Sequence, residues 1–401
     1  MSFPKDYKLQ FIFCISTALV LMFNIIFHNT NMNNLFLIDM TTVDPGRDFY
    51  ASLALSDKLY PYYGEAFPYP PIIVLFYYFL SHISDPTLYL KTQGINYVDA
   101  INKYYSQSMN VRICFYVITL IVLAAILLLV YKNVFDRCSL KNKFILVMLS
   151  ICLLSNIGLI IGSVKGNSIV LALLFTLTFL LYYDDDDSRL RTVGLLGLSI
   201  AINIKPYTFI FSLLYLKAKK INSFAKLMLI SSIFFFVPFL FLKGGFFNSL
   251  ISFFVTLFSF GAENAPNMIG VKPFLHNLFR ISTTILQAIN FFYLGITIFA
   301  FLKASKKWVS ILFLSLAMIL FTYNYGYILC FLLPSLMFFL IEEKELNIFN
   351  IVVLILFMIV LAPYYILVDA SVSYWIRSFI CNSALIILSI IISIYRQEKF
   401  T

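Results

Sequence analysis

Long apolar runs recur along the whole chain, and no other sequence feature restricts its fold as strongly. A helix needs about 20 predominantly apolar residues to cross the hydrocarbon core of a bilayer, and several runs approach that length. The candidate spans are 9–27, 111–131, 144–162, 168–183, 225–242, 281–302, 308–322, 327–341, 348–368 and 375–395. We therefore expect an all-α, polytopic membrane protein that forms a single domain over residues 1–401, with about 10–12 transmembrane or re-entrant helices.

The composition supports a lipid environment. Of the 401 residues, 61% are apolar and 12% are charged, whereas a soluble domain has about 45–50% and about 25%. A soluble globule cannot hide that much apolar surface, so the composition excludes a soluble enzyme, a disordered chain and a secreted disulfide scaffold. The net charge of +10 fits basic loops on the cytoplasmic side of a membrane, so we expect no nucleic-acid partner.

The basic loops predict the topology of the chain. If the N-terminus is inside and two further apolar stretches, 69–84 and 193–216, are re-entrant, the dense basic loops all face the cytoplasm. Two long loops, 28–110 and 243–280, then lie outside. The alternative of a full span at 69–84 stays open. Since the chain has no C-terminal ER-retention tail, we expect a multi-pass protein of a bacterial cell membrane.

The stretch 193–216 contains Lys205 followed by Pro206. Twelve residues lead up to this pair, which at about 1.5 Å per residue carries the chain to roughly mid-membrane. Because Pro206 lacks a backbone N–H and disfavours a helical residue before it, the pair predicts a break between two half-helices. A lysine at that depth is a candidate functional residue. The alternative is a lysine that reaches the interface from a kinked full span.

A short amphipathic pattern from Arg47 to Leu59 predicts a helix in the first external loop. Asp48 stands in its first turn, where the helix dipole favours a carboxylate, and the spacing alone favours a helix-capping role. The alternative is a general base held over a membrane cavity. Asp44, four residues earlier, is a second candidate for that base.

Several short motifs follow one another in a familiar order. They are Asp48-Phe-Tyr50, Lys58-Leu-Tyr-Pro-Tyr62, Tyr69-Pro-Pro71, Lys165-Gly-Asn167, Gly194-x-x-Gly197, Ile204-Lys205-Pro-Tyr207, the loop 264–272 and Tyr323-Asn-Tyr325. As an ordered series over about residues 9–340, they resemble the GT-C superfamily of membrane glycosyltransferases. The chain looks most like glycosyltransferase family 87 and related polyprenyl-phosphate-mannose-dependent mannosyltransferases. It departs from that pattern at Lys165, where the family has Arg, and at Pro206, which precedes the tyrosine instead of following it.

The resemblance implies a GT-C type helical bundle and a reaction on the outer face of the membrane. A hexose, most simply mannose, would pass with inversion from a polyprenyl-phosphate donor to a lipid- or glycan-linked acceptor. Asp48 matches the catalytic base, and the matching substrate-binding residues are Lys205, Lys165, Asn167, Tyr50, Tyr63, Tyr207 and Lys272. We expect no cofactor and no required metal, although a metal at Asp44 and Asp48 stays open.

Two other classes of membrane protein share the many spans. A flippase for lipid-linked sugars predicts internal pseudo-symmetry, which the sequence does not display. A glycan polymerase or ligase would carry its largest loop late in the chain, whereas here the largest predicted loop, 28–110, comes first.

Overall fold

A computed structural model gives the architecture of the chain. The structure describes residues 8–27, 45–62, 69–92, 95–137, 143–260, 269–270, 275, 283–321, 325–361, 377, 379 and 382–397. Regular secondary structure in these residues is helical, so the all-α prediction is confirmed for the described part of the chain.

The α-helices are numbered here in chain order. They are α1 (Lys8–Phe27), α2 (Arg47–Ser56), α3 (Pro71–Ser84), α4 (Leu88–Lys91), α5 (Tyr97–Ala100), α6 (Met109–Arg137), α7 (Lys143–Leu154), α8 (Ile157–Lys165), α9 (Ile169–Tyr182), α10 (Ser188–Ile204), α11 (Leu213–Lys217), α12 (Ile221–Phe236), α13 (Phe246–Phe260), α14 (Thr283–Lys303), α15 (Lys307–Phe321), α16 (Leu333–Glu342), α17 (Ile348–Leu361) and α18 (Asn382–Gln397). A π-helical turn covers Ile101–Tyr105, and 3-10 segments cover Pro206–Ser212, Val237–Phe241 and Gly326–Leu332.

Three described helical stretches are long and apolar enough to cross a membrane, namely Met109–Asn133, Ile221–Phe241 and Ile285–Lys303. In each of them, 22% of the most apolar window is buried within the protein. The remaining apolar surface faces outward, which is favourable in lipid and unfavourable in water. Shorter apolar helices coincide with most of the other predicted spans.

The predicted span 144–162 is interrupted by a bend. The structure divides it into α7 and α8, which meet at a bend of 66°. Asn156 causes the division, because its Oδ1 accepts hydrogen bonds from the backbone N–H groups of Gly158 (2.8 Å) and Leu159 (3.2 Å). An asparagine that caps free N–H groups in this way begins a new helix.

The predicted external loop 243–280 contains a helix that the sequence analysis did not anticipate. This helix, α13, presents Phe247, Ile251 and Val255 outward and buries Phe253. Phe253 packs with Tyr62, Val74, Phe239 and Leu242 in a buried cluster.

The predicted break at Lys205 is confirmed. Helix α10 ends at Ile204, Lys205 has an extended backbone (φ −137°, ψ 99°), and a 3-10 segment begins at Pro206. The N–H of Lys205 still reaches the carbonyl of Ala201 (2.8 Å), while Pro206 has no N–H to continue the helix.

The chain forms two compact units, each assembled from separate stretches. One combines residues 1–42, 127–161 and 264–401, and the other combines residues 43–126 and 162–263. We refer to the latter as the Asp48 unit. The predicted single domain stays a prediction.

Each unit has its own close helix contacts. In the first unit, a Cβ on Gly158 would lie 2.3 Å from the backbone nitrogen of Cys330, so no side chain fits there. In the Asp48 unit, a Cβ on Gly197 of α10 would lie 2.8 Å from the carbonyl oxygen of Phe175 in α9. The Gly194-x-x-Gly197 motif therefore allows α10 to pack tightly against α9.

Candidate functional site

The candidate site is built on the turn that ends α8. The N–H of Asn167 bonds the carbonyl of Gly162 (2.8 Å), and the N–H of Gly166 bonds that of Ser163 (3.1 Å). This pattern, with Gly166 in the left-handed region (φ 68°), is a Schellman motif. A Cβ on Gly166 would lie 2.7 Å from the Cβ of Phe49 and 2.8 Å from the Phe115 ring. A glycine at this position therefore lets α2 lie directly against the turn.

The same turn holds the start of α2. The N–H of Gly46 donates to the carbonyl of Val164 (2.8 Å), which places Asp48 beside Asn167. Asn167 Nδ2 donates to Asp48 Oδ2 at 2.7 Å. Asn167 Oδ1 accepts from the N–H of Ile169 (3.0 Å), so the amide is oriented with its nitrogen toward the carboxylate. This contact joins two residues that the sequence analysis assigned to one site.

Asp48 does not cap its helix, so the helix-capping interpretation is wrong. The N-cap of α2 is Gly46, which makes no side-chain capping bond. Asp48 is half-buried, and its Oδ1 has no hydrogen-bond partner among the described residues. One carboxylate oxygen is therefore held by Asn167, and the other makes no hydrogen bond within the part of the chain that the structure describes.

Tyr69 connects this pair to Lys205. Asn167 Nδ2 also lies 3.4 Å from Tyr69 Oη. The Lys205 ammonium lies 4.1 Å from the centroid of the Tyr69 ring, which is a cation–π contact. Lys205 is 8% exposed, so most of its contacts are with the protein.

Tyr69 precedes α3, and Pro70 and Pro71 define the start of that helix.

A small cavity of about 50 Å³ lies next to the turn. Apolar side chains dominate its lining, among them Phe49, Phe76 and Val122, while Asn167 and Ser168 contribute polar atoms. Asn167 thus faces both this cavity and the Asp48 carboxylate.

The remaining predicted site residues have varied positions. Lys165 is the last residue of α8 and is half-buried, two positions before Asn167. Tyr207 lies in the 3-10 segment two positions after Lys205. Tyr50 is buried against Gly46 and the Phe115 ring, as a packing residue would be. Tyr63, Lys272 and the alternative base Asp44 lie outside the described residues.

Tyr69 belongs to the Tyr-Pro-Pro motif of the resemblance but is not among the predicted substrate-binding residues. The motif indicates where α3 begins but not which residues the tyrosine meets. Its partners are Asn167 and Lys205, which lie 98 or more residues further along the chain.

Within the described residues, no group of three or more His, Cys, Asp or Glu side chains is placed to hold a metal ion. The predicted independence from metals stays a prediction. No protein-family model matches the sequence, and no curated protein matches it at a significant level. The GT-C resemblance therefore remains an interpretation of the motifs.

Proposed function

We propose that the protein is a membrane glycosyltransferase that uses a polyprenyl-phosphate sugar as donor. The observation that carries this proposal is the cluster of Asp48, Asn167, Tyr69 and Lys205, in which Asn167 and Tyr69 connect a half-buried carboxylate to a buried ammonium. A carboxylate with one available oxygen suits a general base. A fixed, desolvated cation suits a leaving group that gains negative charge.

The proposed reaction is a single displacement at the anomeric carbon. The acceptor hydroxyl gives its proton to Asp48 Oδ1 while its oxygen forms the new bond to that carbon. The bond between the anomeric carbon and the phosphate oxygen breaks, and its electron pair leaves with the lipid phosphate, beside Lys205. The configuration inverts because one bond replaces the other from the opposite face. Asp48 afterwards returns its proton to water.

The membrane setting of the proposal comes from the helices. The three long apolar stretches keep most of their surface unburied, as helices in contact with lipid do. The distribution of basic loops favours an external or periplasmic position for the Asp48 segment. In the proposed reaction, the lipid-linked donor and the lipid- or glycan-linked acceptor meet at that surface.

The test is the Asp48→Asn exchange, assayed in membranes supplied with polyprenyl-phosphate mannose carrying a radiolabel in the sugar. An asparagine keeps an oxygen for the Asn167 amide but cannot take up the proton. We expect transfer to fall about 100-fold or more, with unchanged expression and melting temperature. Asp99→Asn is the matched control, because Asp99 lies in the same predicted loop and pairs with Lys103 near the surface.

Full activity of Asp48→Asn would remove Asp48 as the base. Transfer from a nucleotide sugar in membranes without polyprenyl phosphate would contradict the donor class. Proteoliposomes that move a labelled lipid-linked sugar across the bilayer without forming a new glycosidic bond would favour a flippase instead.

A further inference from the structure

The side chain of Tyr69 faces two different parts of the candidate site. Its ring lies under the Lys205 ammonium, with 4.1 Å between Nζ and the ring centroid. Its hydroxyl lies 3.4 Å from Asn167 Nδ2, the atom that also donates to Asp48. Tyr69 therefore contacts both Lys205, which lies beside the proposed leaving group, and Asn167, which holds the proposed base.

The ring is the natural support for a buried ammonium. Lys205 follows directly on the end of α10, in extended backbone, and is 8% exposed. An ammonium removed from water needs a compensating interaction, and the face of an aromatic ring supplies one. The position of the Tyr69 ring therefore helps to determine where the positive charge of Lys205 is held.

The hydroxyl completes the hydrogen bonding of Asn167. An asparagine amide has two N–H donors and one acceptor oxygen. The oxygen accepts from the Ile169 N–H, one donor serves Asp48 at 2.7 Å, and the nitrogen also faces Tyr69 Oη. With all of these directions in use, the amide has little freedom to turn away from the carboxylate.

The backbone fixes Tyr69 itself. Tyr62 Oη donates to the carbonyl of Tyr69 at 2.8 Å, and Tyr62 is buried in the cluster with Phe239 and Phe253. Pro70 and Pro71 follow at the start of α3 and restrict the backbone further. These contacts give Tyr69 a defined position beside Lys205 and Asn167.

We propose that Tyr69 is a positioning residue of the transfer reaction, whose ring holds Lys205 at the leaving phosphate and whose hydroxyl, through Asn167, aligns the Asp48 carboxylate. This inference rests on the proposed function, since it assigns separate donor and base roles to the two ends of the site. It predicts that the ring and the hydroxyl affect different kinetic constants.

The test compares Tyr69→Phe with Tyr69→Leu in steady-state assays with varied polyprenyl-phosphate mannose. The Phe variant keeps the ring, so the donor KM stays within about twofold, while the loss of the hydroxyl lowers kcat about tenfold. The Leu variant also loses the cation–π contact, and its donor KM rises about tenfold or more. Tyr69→Met, which is longer and flexible but likewise lacks a ring, repeats the measurement if the Leu variant is not stably produced.

Tyr215→Phe is the matched control. Tyr215 is a buried tyrosine of the same unit that packs against Phe179 and Tyr183, so loss of its hydroxyl should leave both constants unchanged. If the wild-type protein transfers the sugar but the Phe and Leu variants change KM and kcat by equal factors, or change neither, the inference is overturned and the proposed function stands. If the wild-type protein transfers no sugar from this donor, the proposed function fails, and the role of Tyr69 fails with it.

Discussion

Replacing Gly166 by alanine tests the packing that brings Asp48 to Asn167. Gly166 has a φ of 68°, and a Cβ there would lie 2.7 Å from the Cβ of Phe49. The exchange therefore combines an unfavourable backbone conformation with an overlap against α2. Two other glycines of the chain allow these effects to be separated.

Gly245 isolates the backbone effect, because its φ is 80° and nothing lies within 4 Å of its Cβ position. We expect Gly245→Ala to cost about 1 kcal/mol. Gly295 lies within α14, also with nothing within 4 Å. Since alanine is the better helix former, Gly295→Ala should be neutral or stabilising by about 0.5–1 kcal/mol.

Gly166→Ala adds the displacement of Phe49 to the backbone cost. Relief of an overlap in a packed site typically costs about 1–3 kcal/mol, so the total destabilisation should be about 2–4 kcal/mol. Any movement of Phe49 also moves its neighbour Asp48 away from Asn167. Sugar transfer should therefore fall by more than the loss of folded protein explains.

The assay is thermal unfolding of the purified protein in one detergent, with SDS titration as a second measure, for the wild type and all three variants. The expected order of stability is Gly295→Ala at or above wild type, then Gly245→Ala, then Gly166→Ala. If Gly166→Ala has the same melting temperature as Gly245→Ala, the close approach of Phe49 is refuted. If its melting temperature equals that of Gly295→Ala, the left-handed turn is refuted as well.

Two further predictions concern charged groups of the Asp48 unit, one buried and one half-buried. Asp57 is 2% exposed and accepts hydrogen bonds from Ser81 Oγ (2.9 Å) and Tyr105 Oη (2.8 Å). Asp57→Asn should destabilise the protein by about 2 kcal/mol, measured by thermal unfolding with Asp99→Asn as the control. An unchanged melting temperature would contradict the buried network. Burial lowers the pKa of Lys217, at the end of α11, from 10.5 to about 8. Because the unfolded chain binds the Lys217 proton more tightly, the contribution of this residue to stability rises as the pH increases from about 8 to 10.5. The melting temperature of the wild type should therefore rise relative to that of Lys217→Met as the pH increases across this window. If the two melting temperatures change in parallel with pH, the prediction is contradicted.

Features that depend on neighbouring residues could be predicted from the sequence. The break at Lys205 follows from the chemistry of Pro206, which acts on its own backbone and on the residue before it. The all-α character follows from the length of the apolar runs. The bend between α7 and α8 was missed because a single asparagine inside an apolar run does not reveal whether its side chain will cap a new helix.

The site residues illustrate the same difference. The motif series singled out Asp48, Asn167 and Lys205 but offered no geometry, and from spacing alone Asp48 was more simply a helix cap. The structure removes that alternative, because Gly46 occupies the cap and the carboxylate meets Asn167. The helix α13 was missed because its apolar run lay within a stretch that the basic-loop argument had assigned to the exterior.

The amino-acid sequence by itself determined that the chain is helical and apolar, that its helix breaks at Lys205, and that polar residues cluster between the runs. The tertiary structure alone decided that Tyr69 stands between Lys205 and the Asp48–Asn167 pair. Asp48 and Asn167 are 119 residues apart, and their contact depends on a left-handed glycine, a backbone bond from Gly46 and the packing of Phe49. Local preferences act over a few residues, whereas such a contact is the joint result of packing over the whole unit.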